Sequence, residues 1–198
     1  MKLIIASNNK HKIYEIKKIL GARFDSILSL REAGIDHETV EDGTTFMQNA
    51  LKKASEIAEI SGSYALADDS GICAHALDGA PGIYSARFAG CHGDDEANNL
   101  LLLEKLADKE DKGAHYTCAM ALASPNGELT LAEGYMYGTI TSERRGSRGF
   151  GYDPLFIPTG EVRTVAEMSD EEKNAISHRG RALALLLDKL DRIGENHA

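Results

Sequence analysis

The feature that most limits the fold is Leu3-Ile4-Ile5-Ala6, an apolar run that stops abruptly at polar residues 7–12. Four residues are too few for a helix, so the run reads as a short buried strand. Ile13, Ile16 and Leu20 follow at helical spacing. The alternation then recurs. Thr45 with Gln48 forms a capping-box pattern ahead of a helix buried through Phe46, Ala50, Ala54 and Ile57. Residues 64–67 read as a second strand, ending at Asp68-Asp69-Ser70-Gly71. Leu100, Leu101, Leu103 and Leu106 mark a third helix. Residues 116–123 and 129–137 flank Ser124-Pro125-Asn126-Gly127, a hairpin turn. Residues 152–157 read as extended, and Ser169 with Glu172 makes a second capping box. The last helix carries Ala182, Leu185, Leu186, Lys189, Leu190 and Ile193. Alternation combined with a hairpin predicts an α/β fold with a mixed sheet rather than a purely doubly wound one. The 198 residues suit a single domain over 1–198, or one with two lobes.

Charge narrows the class of partner. Asp and Glu total 31 against 22 Lys and Arg, a net charge of -9. A general nucleic-acid coat needs a basic face, so that role is excluded, whereas a small anionic ligand answers to local charge. Locally the chain is uneven. Residues 1–23 hold six Lys/Arg and one acid, while residues 36–42 hold four acids and no Lys or Arg. Arg144, Arg145 and Arg148 cluster around Glu143. The three cysteines, Cys73, Cys91 and Cys118, have no CxxC spacing, which argues against a disulfide framework or zinc site and for a reducing cytoplasm. The N-terminal apolar run is too short for a signal peptide, and no run approaches the roughly 18 residues of a membrane helix.

Five segments are candidates for chemistry. Ser7-Asn8-Asn9-Lys10-His11-Lys12 lies between the first strand and first helix, where α/β folds bind ligands. It reads either as a phosphate site at a helix N-terminus or as a helix cap with surface lysines. In Asp68-Asp69-Ser70-Gly71 adjacent carboxylates point opposite ways along an extended chain. One can face a ligand, as a Mg²⁺ ligand or a base toward water, while the other braces its neighbours. The acidic stretch with Glu38 and Glu41 supplies a further metal carboxylate or a solvated loop. Gly146-Ser147-Arg148-Gly149-Phe150-Gly151-Tyr152-Asp153-Pro154 permits close backbone approach. Phe150 there is suited to stack on a base, and Asp153 to bond a sugar or base edge. Lys173 and Ser177 share a helical face ahead of His178 and Arg179, whose guanidinium fork suits a carbonyl or phosphate.

The order of these segments is more specific than any one of them. With Ala80-Pro81-Gly82-Ile83-Tyr84-Ser85-Ala86-Arg87-Phe88 and Glu171-Glu172-Lys173-Asn174-Ala175-Ile176-Ser177-His178-Arg179, the chain closely resembles the inosine/xanthosine triphosphate pyrophosphatase family from about residue 3 to 193. The resemblance implies an elongated mixed β-sheet flanked by helices, in a two-lobed single domain with a central cleft. It implies hydrolysis of ITP, dITP and XTP to the monophosphate and pyrophosphate with Mg²⁺, which keeps deaminated purines out of DNA and RNA. A homodimer is implied as well, with no nucleic-acid or membrane partner.

Carried over by motif, Ser7, Asn8, Asn9, Lys10, His11 and Lys12 match the triphosphate segment. Asp69 matches the general base and metal ligand, and Ser70 a substrate contact. Glu41 fits the family's Glu-x-Gly pattern for a second metal ligand, with Glu38 the alternative. Phe150, Gly151, Tyr152, Asp153, Lys173, His178 and Arg179 match base and sugar positions. Lys53 and Arg87 sit in motif segments without a defined role. Two departures stand out: Ser7 where Thr is commoner, and Arg148 where many members have Gly. Donors such as Arg179 or backbone N–H groups would welcome the O6 acceptor of hypoxanthine or xanthine and face an amino group on adenine. The alternatives are a related pyrophosphatase for other modified nucleotides and a non-catalytic nucleotide-binding regulator. The second would not need Asp69 with an acidic partner.

Overall fold

In this computed structural model the described residues are 2–21 and 23–195. Six strands form one mixed sheet in the order β2-β1-β3-β4-β5-β6. β1 (Lys2–Ile5) pairs in parallel with β2 (Ser26–Ser29) and with β3 (Tyr64–Ala74), whereas β5 (Leu129–Ile140) pairs antiparallel with β6 (Phe156–Pro158). β4 (Gly113–Ala123) lies between β3 and β5. The helices are α1 (Lys10–Leu20), α2 (Phe46–Ser61), α3 (Asp95–Leu106), α4 (Asp170–Ile176) and α5 (His178–Glu195). The α/β class and the mixed sheet are therefore as expected. Among the described residues no helix is long and apolar enough to cross a membrane.

The chain divides into two compact units. The first comprises Met1–Asp69, Cys118–Gly134 and Arg179–Ala198; the second comprises Ser70–Thr117 and Tyr135–His178. In the first unit the pleat of β1 divides the core. Leu3 and Ile5 pack with Ile16 and Leu20 of α1, Leu66, Met120 and Leu183 and Leu186 of α5. Ile4 packs on the other side with Ala50, Ala54 and Ile57 of α2, Ala65 and Ala67. Side chains of successive strand residues point to opposite faces, so this split follows from the extended backbone alone. In the second unit Ile72 and Ala74 pack with Leu102 and Leu106 of α3, Tyr116, Met136 and Phe156.

Several elements differ from expectation. β2 was not anticipated, because Ser26-Ile27-Leu28-Ser29 has only two apolar residues. β3 does not end at Asp68 but continues through Gly71 to Ala74. Its buried carboxylates remain in the strand because cations pair with them. Residues 152–155 form a turn, closed by Leu155 N–H to the Tyr152 carbonyl at 2.9 Å, and only Phe156–Pro158 is strand. On α3 it is Leu102 and Leu106 that are buried, while Leu100 is exposed. On α5 Leu183 takes the core position and Leu185 is exposed. The side chain of Ile193 lies outside the described residues. Ser169 and Glu172 form a complete capping box on α4. At α2 the box is half made: Thr45 accepts from Gln48 N–H, but Gln48 Oε1 accepts from Thr44 N–H instead of the cap residue.

Candidate active site

In the first unit the alternation of β3 turns Asp68 and Asp69 toward different partners. Asp68 has the α1 and α5 side: Lys12 Nζ lies 3.1 Å from its Oδ2, and Arg179 donates Nε at 3.3 Å and Nη2 at 3.0 Å to the same oxygen. Arg179, 1 % exposed, gives its remaining arm to Glu15 Oε2 at 2.5 Å. Burial alone would raise the Asp68 carboxyl, but Lys12, Arg179 and Lys53 outweigh it and hold it well below the usual carboxylate range. The same carboxylates raise the Arg179 pKa despite burial. Asp68 Oδ1 is buried with no hydrogen-bond partner.

Asp69 has the α2 side. Asn49 Nδ2 donates to its Oδ2 at 2.9 Å, and Lys53 Nζ lies 3.8 Å from its Oδ1. Asn49 and Lys53 are four apart on α2, hence on one face. Lys53 also bonds Glu41 Oε1 at 2.7 Å, and Asn49 Oδ1 accepts from Gly43 N–H at 2.9 Å. These two bonds pin the acidic loop beside Asp69. Burial raises the Asp69 pKa, and the opposing pull of Lys53, Lys12 and Asn49 does not cancel it, with Glu41 adding repulsion. Burial works against the Lys53 charge, yet Asp69, Asp68 and Glu41 raise its pKa above the ordinary value. Of the two acidic-loop candidates, Glu41 joins this cluster and Glu38 is exposed.

The residues 7–12 do what a helix cap does. Asn9 Oδ1 accepts from His11 N–H at 3.0 Å and Lys12 N–H at 3.2 Å, worth about 1 kcal/mol to α1. Ser7 Oγ accepts from Asn9 N–H at 3.2 Å. Asn8, Asn9, Lys10 and His11 are exposed, whereas Lys12 turns inward to Asp68.

In the second unit the loop 149–153 is built around Asp153. Its Oδ2 accepts from Phe150 N–H at 3.0 Å and from Lys173 Nζ at 2.7 Å. Gly149 is required here: at φ 76° a Cβ would stand 2.0 Å from that same carboxylate oxygen. Lys173 Nζ also sits 4.8 Å from the centre of the Phe150 ring. His178 stacks on Tyr116, centroids 4.7 Å apart and 9° from parallel. Tyr152 is buried and donates its hydroxyl to the Ser85 carbonyl at 2.9 Å. Arg87 lies over the Tyr84 ring at 5.2 Å. Arg148 donates to the Met168 carbonyl at 3.3 Å, and its N–H to Ala166 at 3.1 Å, so the residue that departs from the family pattern fastens its own loop. Ser70 follows Asp69 as a half-buried residue of β3.

Of the sequence candidates, Lys12, Asp69, Glu41 and Arg179 form a cluster in the first unit, and Phe150, Asp153 and Lys173 one in the second, with His178 stacked on Tyr116; Asn8, Asn9, Lys10, His11 and Glu38 are exposed and join neither. Glu15, Asn49 and Tyr116 were not anticipated. The Asn49–Lys53 spacing was a usable signal; nothing local singled out Glu15 or Tyr116.

The Ham1 family profile matches residues 3–189. The dITP/XTP pyrophosphatase of Leifsonia xyli subsp. xyli is 50 % identical over 193 residues, covering 96 % of both chains. That of Leuconostoc mesenteroides subsp. mesenteroides is 51 % identical over 195 residues, again 96 % of both. Among solved structures, the Staphylococcus aureus Ham1 protein superposes with a TM-score of 0.87 at 38 % identity, over 96 % of this chain and 98 % of that one. A HAM1 protein from Coxiella burnetii does so with a TM-score of 0.87 at 38 % identity, over 97 % and 99 %.

Proposed function

The chain belongs to the Ham1 family, and on that premise we propose how it hydrolyses non-canonical purine nucleoside triphosphates, the activity for which its relatives are named. It is a nucleoside-triphosphate pyrophosphatase, converting ITP, dITP and XTP to the monophosphate and pyrophosphate.

One observation carries the assignment of roles: the first-unit cluster has four carboxylates (Glu15, Glu41, Asp68, Asp69) and three cations (Lys12, Lys53, Arg179). Burial raises the pKa of Asp69, whereas Lys12, Arg179 and Lys53 hold that of its neighbour Asp68 down. A buried carboxylate of raised pKa is a better proton acceptor than a free one, which suits it to take the proton of an attacking water. Asn49 fixes the direction of that carboxylate. Lys12 and Lys53 offer positive charge to phosphate, and Ser7 a hydroxyl.

The donor set also fits Mg²⁺. Glu41 Oε1 and Asp69 Oδ1 both face Lys53 Nζ, at 2.7 and 3.8 Å, so two carboxylates converge where Mg²⁺ needs one or two. Asp69 and Glu41 would hold it. When bound, Mg²⁺ neutralises phosphate charge and orients the leaving pyrophosphate.

In the second unit Phe150 stacks on the purine, and Asp153 holds Lys173 beside the same ring. His178 and Tyr152 complete the base and sugar contacts. Arg179 spends its donors on Asp68 and Glu15, so its part is to set Asp68 rather than to read O6. Recognition of O6 then falls to backbone N–H groups and Lys173.

The three cysteines are free thiols, which supports a reducing cytoplasm, and the net charge of -9 supports the absence of a nucleic-acid partner. A homodimer rests on the family resemblance, and sedimentation velocity tests it. The function itself is tested by product analysis: ITP with Mg²⁺ should give IMP and pyrophosphate in equal amounts. IDP and orthophosphate would overturn the reading.

A further inference from the structure

We propose that Asp95 and Asn99 of α3 are positioning residues for the base-binding loop: they grip Gly151 by both of its backbone groups and thereby set the plane of Phe150. Asp95 Oδ2 accepts from Gly151 N–H at 2.6 Å, and Asn99 Nδ2 donates to the Gly151 carbonyl at 2.9 Å. The two residues are four apart, so a single face of α3 presents an acceptor and a donor to one peptide segment.

Two contrasts separate this grip from ordinary loop packing. The preceding residue, Asn98, fastens the loop 86–89 with both ends of its amide: Oδ1 accepts from Ala89 N–H at 2.8 Å and Nδ2 donates to the Ala86 carbonyl at 3.3 Å. Asn99 is 1 % exposed, yet its Oδ1 has no hydrogen-bond partner. Buried amides ordinarily satisfy both ends. The Gly151 carbonyl therefore dictates which way the Asn99 amide faces, at the expense of its other end. The second contrast is in the loop itself. Gly151 is left-handed at φ 62°, inside a turn closed by a long Asp153 N–H to Phe150 carbonyl bond of 3.3 Å. Its two shorter backbone bonds to α3, at 2.6 and 2.9 Å, reinforce that turn.

The effect passes to Phe150, the residue before Gly151. Its own N–H is held by Asp153, its ring by Lys173, and Tyr152 is tied to Ser85. With Gly151 fixed as well, the ring is set before a base arrives, and ordering of the loop need not accompany binding. This inference rests on the reading that Phe150 stacks on the purine. Its consequence is selective: loosening the grip weakens capture of the base and leaves Ser7, Lys12 and Lys53, the groups proposed for phosphate, untouched.

The test uses the full-length protein and three variants. Asn99→Asp removes the donor and sets a carboxylate oxygen against the Gly151 carbonyl. Asp95→Ala removes the acceptor at a residue only half-buried, so it serves if Asn99→Asp does not fold by circular dichroism. Asp95→Asn restores an acceptor. The expected result for Asn99→Asp and Asp95→Ala is a KM for ITP raised about tenfold with kcat within about twofold. Inhibition by inorganic pyrophosphate should be unchanged, and Asp95→Asn should recover most of the Asp95→Ala loss. Wild-type KM in the folded Asp95→Ala protein overturns the proposal, as does an equal weakening of pyrophosphate inhibition. Those results would leave the pyrophosphatase reading standing, whereas a wild-type enzyme inert toward ITP would remove both.

Discussion

Arg179→Met is the sharpest perturbation of the first-unit cluster. Arg179 is 1 % exposed and meets two carboxylates, Asp68 with a fully buried side chain and Glu15 with one 10 % exposed. Methionine fills much of the space but takes the guanidinium from both acids, leaving Asp68 with Lys12 at 3.1 Å. Breaking a buried ion pair by removing one partner costs about 3–5 kcal/mol, because the abandoned charge stays out of water. The loss should depend on pH with a definite sign. The folded pKa of Asp68 is depressed, so its stabilisation is fully present above its unfolded value of roughly 4 and is lost as pH falls through the lower folded value. Without Arg179 the folded value moves up, protonation relieves the unpaired charge earlier, and the gap between wild type and variant narrows toward pH 4. Urea unfolding at pH 7 and pH 5 measures this. Asp68→Asn combined with Arg179→Met should recover at least half of the single-variant loss, which gives the coupling directly. A loss below about 1 kcal/mol, or one that does not change with pH, would refute the charge-pairing argument.

Two further predictions concern the reacting groups. Asp69→Asn should lower turnover at least about 100-fold, since a positioned base contributes at least that much. Its thermal midpoint should not fall, because burial makes the Asp69 charge a net cost to the fold; a lowered midpoint with retained turnover would reverse its role. Lys53→Met removes the strongest charge opposing the upward shift of Asp69. Asp69 must be ionised to act as a base, so the acid limb of kcat/KM against pH should move to higher pH, and an unmoved limb would separate Lys53 from Asp69.

What was legible in the sequence was what local chemistry dictates. The alternation in β3 required Asp68 and Asp69 to part company, and they do, toward Lys12 and Arg179 on one side and Asn49 and Lys53 on the other. The capping box at Ser169 needed only three residues of context. Long-range pairing was not legible. Composition does not choose between Glu38 and Glu41; the Glu-x-Gly pattern favoured Glu41, and it is Glu41 that Lys53 bonds. Arg179 looked like a free donor fork until Glu15, 164 residues away, and Asp68 occupied it. β3 seemed to stop at its acids, because a strand interior rarely keeps carboxylates unless cations from elsewhere neutralise them. Leu183 and Leu185 are both apolar, and only the packing of α5 against β4 residues such as Met120 selects Leu183.

The proposed choice of deaminated purines and their cleavage with Asp69 and Mg²⁺ are tested together most directly by pyrophosphate release from ITP, XTP, GTP and ATP at equal Mg²⁺, repeated with chelator. The kcat/KM for ITP and XTP should exceed that for ATP by about 10⁴, the discrimination expected when donors placed for O6 meet an amino group. Chelation should abolish release. Equal efficiency for ITP and ATP, or full activity without divalent metal, would contradict the proposal.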